Sequence, residues 1–154
     1  AFAADAAGWA AAARWLSAAA AAPASCADTA ADASRAALPN ESVGVLLAPA
    51  SAADGGVATR YVAYDNAARS AARYELDPAE LARLLSEIDG AGEVIWGIVH
   101  SHVGSPAVPS SADIAQAYYP DSLYLICSLA EPVPQVRAWS IRDGEVAEVT
   151  LAVG

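Results

Sequence analysis

In the stretch HSHVGSPAVPSSAD, His100 and His102 stand one residue apart and Asp113 follows the second by eleven positions. Imidazole nitrogen and carboxylate oxygen are the ligand types of catalytic zinc, which takes three protein ligands and leaves a fourth position to water. The preceding run, EVIWGIVHSH, is almost continuously apolar and reads as a buried strand. The strand period then points both imidazoles to one side and Ser101 to the other. VGSPAVP is a stiff loop, and Ser110 or Ser111 opens a helix with Asp113 in its first turn, where a carboxylate oxygen reaches the same ion. A plainer reading exists for each residue alone. Histidines can be satisfied core residues, the helix dipole by itself selects an aspartate in a first turn, and Ser110 can be only a cap. The adjacency of the chain's two histidines weighs toward a metal.

Hydrolysis at such a metal also needs a group that takes the proton of the attacking water and hands it to the leaving group. Asp65, Asp89 and Glu93 qualify by type. Glu41 stands out, because it sits just after Pro39 at the mouth of the first buried strand, where an unpaired charge needs a reason.

The elements that must hold these residues are legible in outline. Alanine-rich segments from about Ala3 to Leu16 and from Asp28, a candidate cap, to Ala37 read as helices. SVGVLLAP reads as a buried strand and ATRYVAYD as an alternating one. In YELDPAELARLLSEIDGAG a short extended piece leads to Asp77 as N-cap, Pro78 as first helical residue and Gly90 as stop, with Leu81, Leu84, Leu85 and Ile88 at helical spacing. The helix opened by Ser110 or Ser111 runs to about Tyr119 and is stopped by Pro120. Three further strands follow in SLYLICSLA, QVRAWSIRD and EVAEVTLAV, the last two joined by the hairpin signal Asp143-Gly144. The pattern is that of one mixed α/β or α+β domain with about six strands and three helices.

Composition narrows the partners. The 154 residues carry 18 acidic against 8 basic side chains, a formal charge of -10, and every basic residue is arginine. Nucleic acid and anionic membrane surfaces are therefore poor partners, since both need basic patches. Cys26 and Cys127 lack disulfide-framework or zinc-knuckle spacing, which favours a reducing, cytoplasmic setting. Residues 1–27 form an alanine-rich segment interrupted by Asp5 and Arg14, too charged for a membrane span. AARWLSAAAAAPAS has some features of a cleaved signal, which is the weaker alternative.

HSHVGSPAVPSSAD also matches the JAMM signature, H-x-H, seven residues, then S-x-x-D, and PNESVG is similar to the upstream segment that holds that family's glutamate. NAARS, YELDP and YYPDSLYLICSLAEPVPQVRAWSI resemble the stand-alone bacterial and archaeal JAB1/MPN/Mov34 metallopeptidases, among them the sulfur-carrier-protein cysteine peptidase and the desampylases. The resemblance spans residues 28–154 and leaves 1–27 outside. It implies a cytidine-deaminase-like (JAB1/MPN) α/β fold with a curved mixed sheet. It implies one zinc held by His100, His102 and Asp113, Glu41 as general acid/base, and Ser110 as hydrogen-bond donor to the oxyanion. Two departures stand out: Val103 replaces the proline that often follows the second histidine, and Ser42 and Val43 occupy positions where relatives often have cysteine.

The resemblance thus implies a zinc-dependent peptidase or isopeptidase acting at the Gly-Gly type C-terminal tail of a ubiquitin-like or sulfur carrier protein. Contact is expected at ATRYVAYD or VGSPAVP. The alternative is an inactive interaction module on the same fold, against which intact ligands, Glu41 and Ser110 all count. A nucleoside deaminase is set aside, because the chain has neither H-x-E nor P-C-x-x-C.

Overall fold

The computed structural model describes residues 21–22 and 24–153. The helix expected over residues 3–16 lies outside them. Six strands form one open sheet: β2 (Val43–Ala48), β3 (Arg60–Tyr64), β4 (Val94–His102), β5 (Leu123–Ser128), β6 (Gln135–Arg142) and β7 (Glu145–Val149). Their order is β3-β2-β4-β5-β6-β7, with β4 and β5 parallel and every other neighbour antiparallel. A two-residue pair, β1 (Ala21–Ala22) with β8 (Ala152–Val153), stands apart from it. The run EVAEVTLAV is thus two strands, because beyond Val149 the chain leaves β6 and pairs with β1.

Among the described residues three helices cover the sheet. Helix α1 (Ala24–Ala36) begins ahead of Asp28, which lies within it instead of capping it. Burial explains the earlier start, since Cys26 and Ala30 pack into a cluster with Leu46, Trp96, Val99 and Leu125. Helix α2 (Pro78–Ala91) has the expected cap, the Asp77 carboxylate accepting from the amides of Ala79 and Glu80. Leu84 and Ile88 pack it on Val45, Leu47 and Ile95. It ends at Gly92 instead of Gly90, because the cap residue adopts φ 67°, ψ 32°, a left-handed conformation that glycine takes without penalty. Helix α3 (Ser111–Ala115) is shorter than its pattern suggests. The amide of Tyr119 donates to the Tyr124 hydroxyl at 2.9 Å, and Tyr119 packs on the sheet, so the chain is drawn out of helical register.

Two features of β4 orient the residues of interest. Leu46 pairs with Gly97 but Leu47 with Ile95, so Trp96 is an extra, bulged residue. Strict alternation would place Ile95 and His100 on opposite faces; the bulge puts Ile95 under α2 on the same face as Ile98, His100 and His102, and leaves Trp96 on the α1 face. The Trp96 indole is anchored by donation from Nε1 to the Gly56 carbonyl at 2.7 Å. At the far end of the strand, β2 and β4 are pinned by a polar seam on the α1 side. The Ser42 amide donates to Ser101 Oγ at 2.7 Å, the Ser101 amide to the Ser42 carbonyl at 3.2 Å, and the Ser42 and Ser34 hydroxyls meet at 2.9 Å.

Ser101 is fully buried. Ser101→Ala strands the Ser42 amide without its acceptor, so a loss of about 1–3 kcal/mol is expected in urea unfolding. An unchanged midpoint would show that the seam contributes nothing to stability.

Candidate metal centre

The connection from β4 to its parallel neighbour β5 must cross back over the sheet. Its first part, VGSPAVP, is tied down by donors from three strands. His102 Nδ1 donates to the Pro106 carbonyl at 2.7 Å, Ser128 Oγ to the Ser105 carbonyl at 2.7 Å, and Trp139 Nε1 to the Ala107 carbonyl at 2.9 Å. The loop so held delivers α3 over the end of β4. Ser110 closes a capping box there, its hydroxyl accepting from the Asp113 amide at 3.1 Å while its own amide donates to Asp113 Oδ2 at 2.8 Å.

His100, His102 and Asp113 therefore meet. The two Nε2 atoms are 3.2 Å apart, His100 Nε2 is 3.3 Å from Asp113 Oδ1, and His102 Nε2 is 3.2 Å from Asp113 Oδ2. All three residues are buried, at 1%, 5% and 8% exposure. The chemistry of this donor set fits a metal ion. Because a carbonyl can only accept, His102 Nδ1 carries a proton, so it is Nε2 that would give up its proton to bind a metal, from the side that faces the carboxylate. The three ligand atoms lie within 4.8 Å of one another.

Electrostatics follow from burial and from these contacts. Burial pushes the His100 imidazole down, and its hydrogen bond to Asp113 only partly opposes this. For His102 burial acts in the same sense, but the bonds to Asp113 and the Pro106 carbonyl outweigh it and the net direction is up. Asp113 feels burial as an upward push, yet the hydrogen bonds from His100 and His102 hold its carboxyl well below the usual carboxylate range.

Glu41 lies beside this group, just ahead of β2, and is buried at 6% exposure. Burial raises its pKa to about 7; the charge of His102 lowers it and that of Asp113 raises it further. A carboxyl poised there can accept and return a proton near neutrality. The other acidic candidates are elsewhere. Glu93 pairs with Arg60 at 2.6 Å, Asp89 lines a separate groove beside Leu85, and Asp65 is exposed after β3. Sequence reasoning gave no role to Tyr74, whose ring stacks on His100 at 4.4 Å and 24°. Its signal was a single aromatic in an otherwise polar stretch, inside the quoted YELDP. Tyr74 also lines a cavity of about 420 Å³ next to the centre, with Val43, Leu81, Ile98 and Tyr119.

Residues 23–142 match the family described as prokaryotic homologs of the JAB domain. The chain belongs to this family. Among relatives of this JAB-domain protein, the CysO-cysteine peptidase of Mycobacterium tuberculosis is 34% identical over 116 residues, 75% of this chain and 77% of that one. The desampylase of Haloferax volcanii is 39% identical over 87 residues, 56% of this chain and 60% of its own. The solution structure of a Desulfitobacterium hafniense protein superposes with TM-score 0.69 at 30% identity, covering 82% of this chain and 87% of that one. A JAB1/MPN domain protein from Archaeoglobus fulgidus shares the fold, with TM-score 0.52 at 20% identity over 82% and 90% of the two chains.

The Glu41 shift has a consequence for the metal-free protein. Between pH 4.5 and about 7 the unfolded chain has lost the Glu41 proton and the folded chain still holds it, so stability falls as pH rises through that window. Glu41→Gln removes this component. The difference between the two proteins in chelator-treated urea melts is expected to grow by about 1–3 kcal/mol in favour of the variant from pH 4.5 to pH 8. A constant difference would mean that Glu41 titrates normally.

Proposed function

We propose that this JAB-domain protein is a zinc-dependent peptidase or isopeptidase that hydrolyses the amide bond at the C-terminal tail of a ubiquitin-like or sulfur carrier protein. The observation that carries the reading is the convergence of His100, His102 and Asp113 beside a buried Glu41. Ligand atoms of a tetrahedral zinc with bonds of about 2.0–2.1 Å stand about 3.3 Å apart. The two Nε2 atoms, 3.2 Å apart, suit that ion, and the Asp113 carboxylate turns one oxygen toward each imidazole, Oδ1 at 3.3 Å from His100 and Oδ2 at 3.2 Å from His102. When bound, zinc supplies Lewis acidity that lowers the pKa of water and polarises a carbonyl.

The side chains supply the rest. Glu41, a buried carboxyl beside the ligand set, takes the proton of the attacking water and passes it to the leaving amine. The Ser110 oxygen already accepts from the Asp113 amide, which leaves its O–H to donate to the oxyanion of the tetrahedral intermediate. His102 is kept in one tautomer by the Pro106 carbonyl.

The substrate class rests on the relatives, whose names specify a CysO-cysteine peptidase and a desampylase. A tail ending in Gly-Gly is extended and narrow. It suits the open edge of β3, whose Tyr64 pairs with Val43 and Val43 with His100, and the VGSPAVP loop on the other side of the centre. Among the described residues no helix is long and apolar enough to cross a membrane. The cytoplasm is the proposed setting.

Elemental analysis is expected to find about one zinc per purified chain, lost in His100→Ala. Absence of zinc after incubation with the metal would leave an interaction module on the JAB fold. On a carrier protein extended beyond its Gly-Gly tail, Glu41→Gln should hydrolyse at least about tenfold more slowly while retaining zinc. A rate within tenfold of wild type, with zinc bound, would remove Glu41 from the proton path.

A further inference from the structure

We propose that Asn66 is a positioning residue, whose carboxamide clamps residues 66–75 into a brace that holds Glu41 and Tyr74 against the His100–His102–Asp113 centre. The inference rests on the reading of Glu41 as proton carrier.

Asn66 stands shortly after the end of β3, at the start of the NAARSAARYE stretch. Its side chain is saturated with backbone partners drawn from separate parts of the chain. Nδ2 donates to the Glu41 carbonyl at 3.0 Å, to the Arg73 carbonyl at 3.0 Å and, more weakly, to the Ser70 carbonyl at 3.4 Å. Oδ1 accepts from the amides of Ala68 and Glu75, each at 3.0 Å. The orientation of the amide is unambiguous, since a flip would turn its oxygen onto carbonyls and its NH₂ onto amides. Backbone bonds close the same circuit: the Glu41 amide donates to Ser70 O at 2.8 Å and the Ala67 amide to Glu75 O at 2.9 Å.

Both backbone groups of Glu41 are therefore bonded within this one loop. Its side chain projects from a backbone fixed by Asn66 and Ser70. Arg73 and Glu75, the neighbours of Tyr74, are each bonded to the Asn66 carboxamide, so the same residue sets where the Tyr74 ring lies on His100. The loop has little else to order it. Residues 67, 69, 71–73 and 75 are exposed, no regular strand or helix runs through it, and the Ser70 hydroxyl makes only a local bond to the Ala72 amide. A side chain with two donors and two acceptors at this length is what the circuit requires. Aspartate keeps the volume and the acceptor arm but turns an oxygen onto the carbonyls of Glu41 and Arg73.

The test uses the zinc-loaded full chain with Asn66→Asp and Asn66→Ala. Three readouts are taken: zinc content with amide exchange by NMR, the ring-current shift of the His100 protons, and steady-state hydrolysis of a carrier protein extended past its tail. Zinc stoichiometry should be unchanged. Exchange at the Glu41 and Glu75 amides should quicken at least tenfold while β4 and β5 amides keep their protection, and the Tyr74 shift on His100 should shrink. On the substrate, kcat should fall about tenfold or more with KM within about twofold, a split that lost stability alone does not produce below the melting temperature. An unchanged kcat in a variant whose loop exchanges freely overturns the proposal, as does unaltered exchange. If wild type hydrolyses no carrier tail, the reading of Glu41 falls, and exchange and ring current still decide whether Asn66 holds the brace. Asn66→Asp carries the test if the alanine variant does not fold.

Discussion

The antiparallel register of β2 against β4 sets the level of the sheet at which Glu41, His100 and His102 arrive. Val43 opposite His100 places the residues just before β2 alongside the residues that end β4. Glu41 and His102 each lie two residues beyond that pair, on strands running in opposite directions, so they arrive at one level of the sheet. The seam of Ser42 and Ser101 locks the register on the opposite face. A slip of β2 by one residue against β4 would turn Glu41 toward the α1 side and leave both imidazoles on the other face. The bulge at Trp96 works in the same direction, reconciling an apolar strand that must serve two cores with histidines that must share one face.

Around that seam the fold accepts local costs. Two imidazoles and two carboxyls are buried within one small volume, where ionised groups are expensive unless paired. Pairing divides them into unequal roles. Asp113 is held ionised by hydrogen bonds from the two histidines, whereas for Glu41 burial outweighs the attraction of His102 and pushes it toward neutrality. Two carboxyls thus acquire different protonation behaviour from surroundings alone, the arrangement expected where one binds a cation and the other carries a proton. The tethered carbonyls of Ser105, Pro106 and Ala107 keep Asp113 in place although the loop that delivers its helix has no regular structure.

The loop that follows β3 shows how little of such a site is visible locally. NAARSAARYE is polar, small and without periodicity, and by composition it is a surface connection. In the fold it encloses the backbone of Glu41 and carries the ring that stacks on His100. One carboxamide ties both arms of this loop to each other and to the Glu41 backbone, a link that residue spacing does not reveal.

Features that depend on near neighbours can be read along the chain. The Asp77-Pro78 start of α2, the Asp143-Gly144 turn and the alternation that places His100 and His102 on one side are all short-range consequences of backbone geometry, as is the Ser110–Asp113 capping box. Glu41 could be suspected, as a charge at the mouth of an apolar strand, and the family signature pointed to it. Tertiary structure alone decided the rest. It brought Glu41 beside Asp113, extended α1 back to Ala24 through burial against the sheet, and set Asn66 against the Glu41 backbone and Tyr74 against His100. The reason is common to these cases: each is settled by a hydrogen bond or a buried contact between residues far apart in the chain, and its energy exists only once the sheet has assembled.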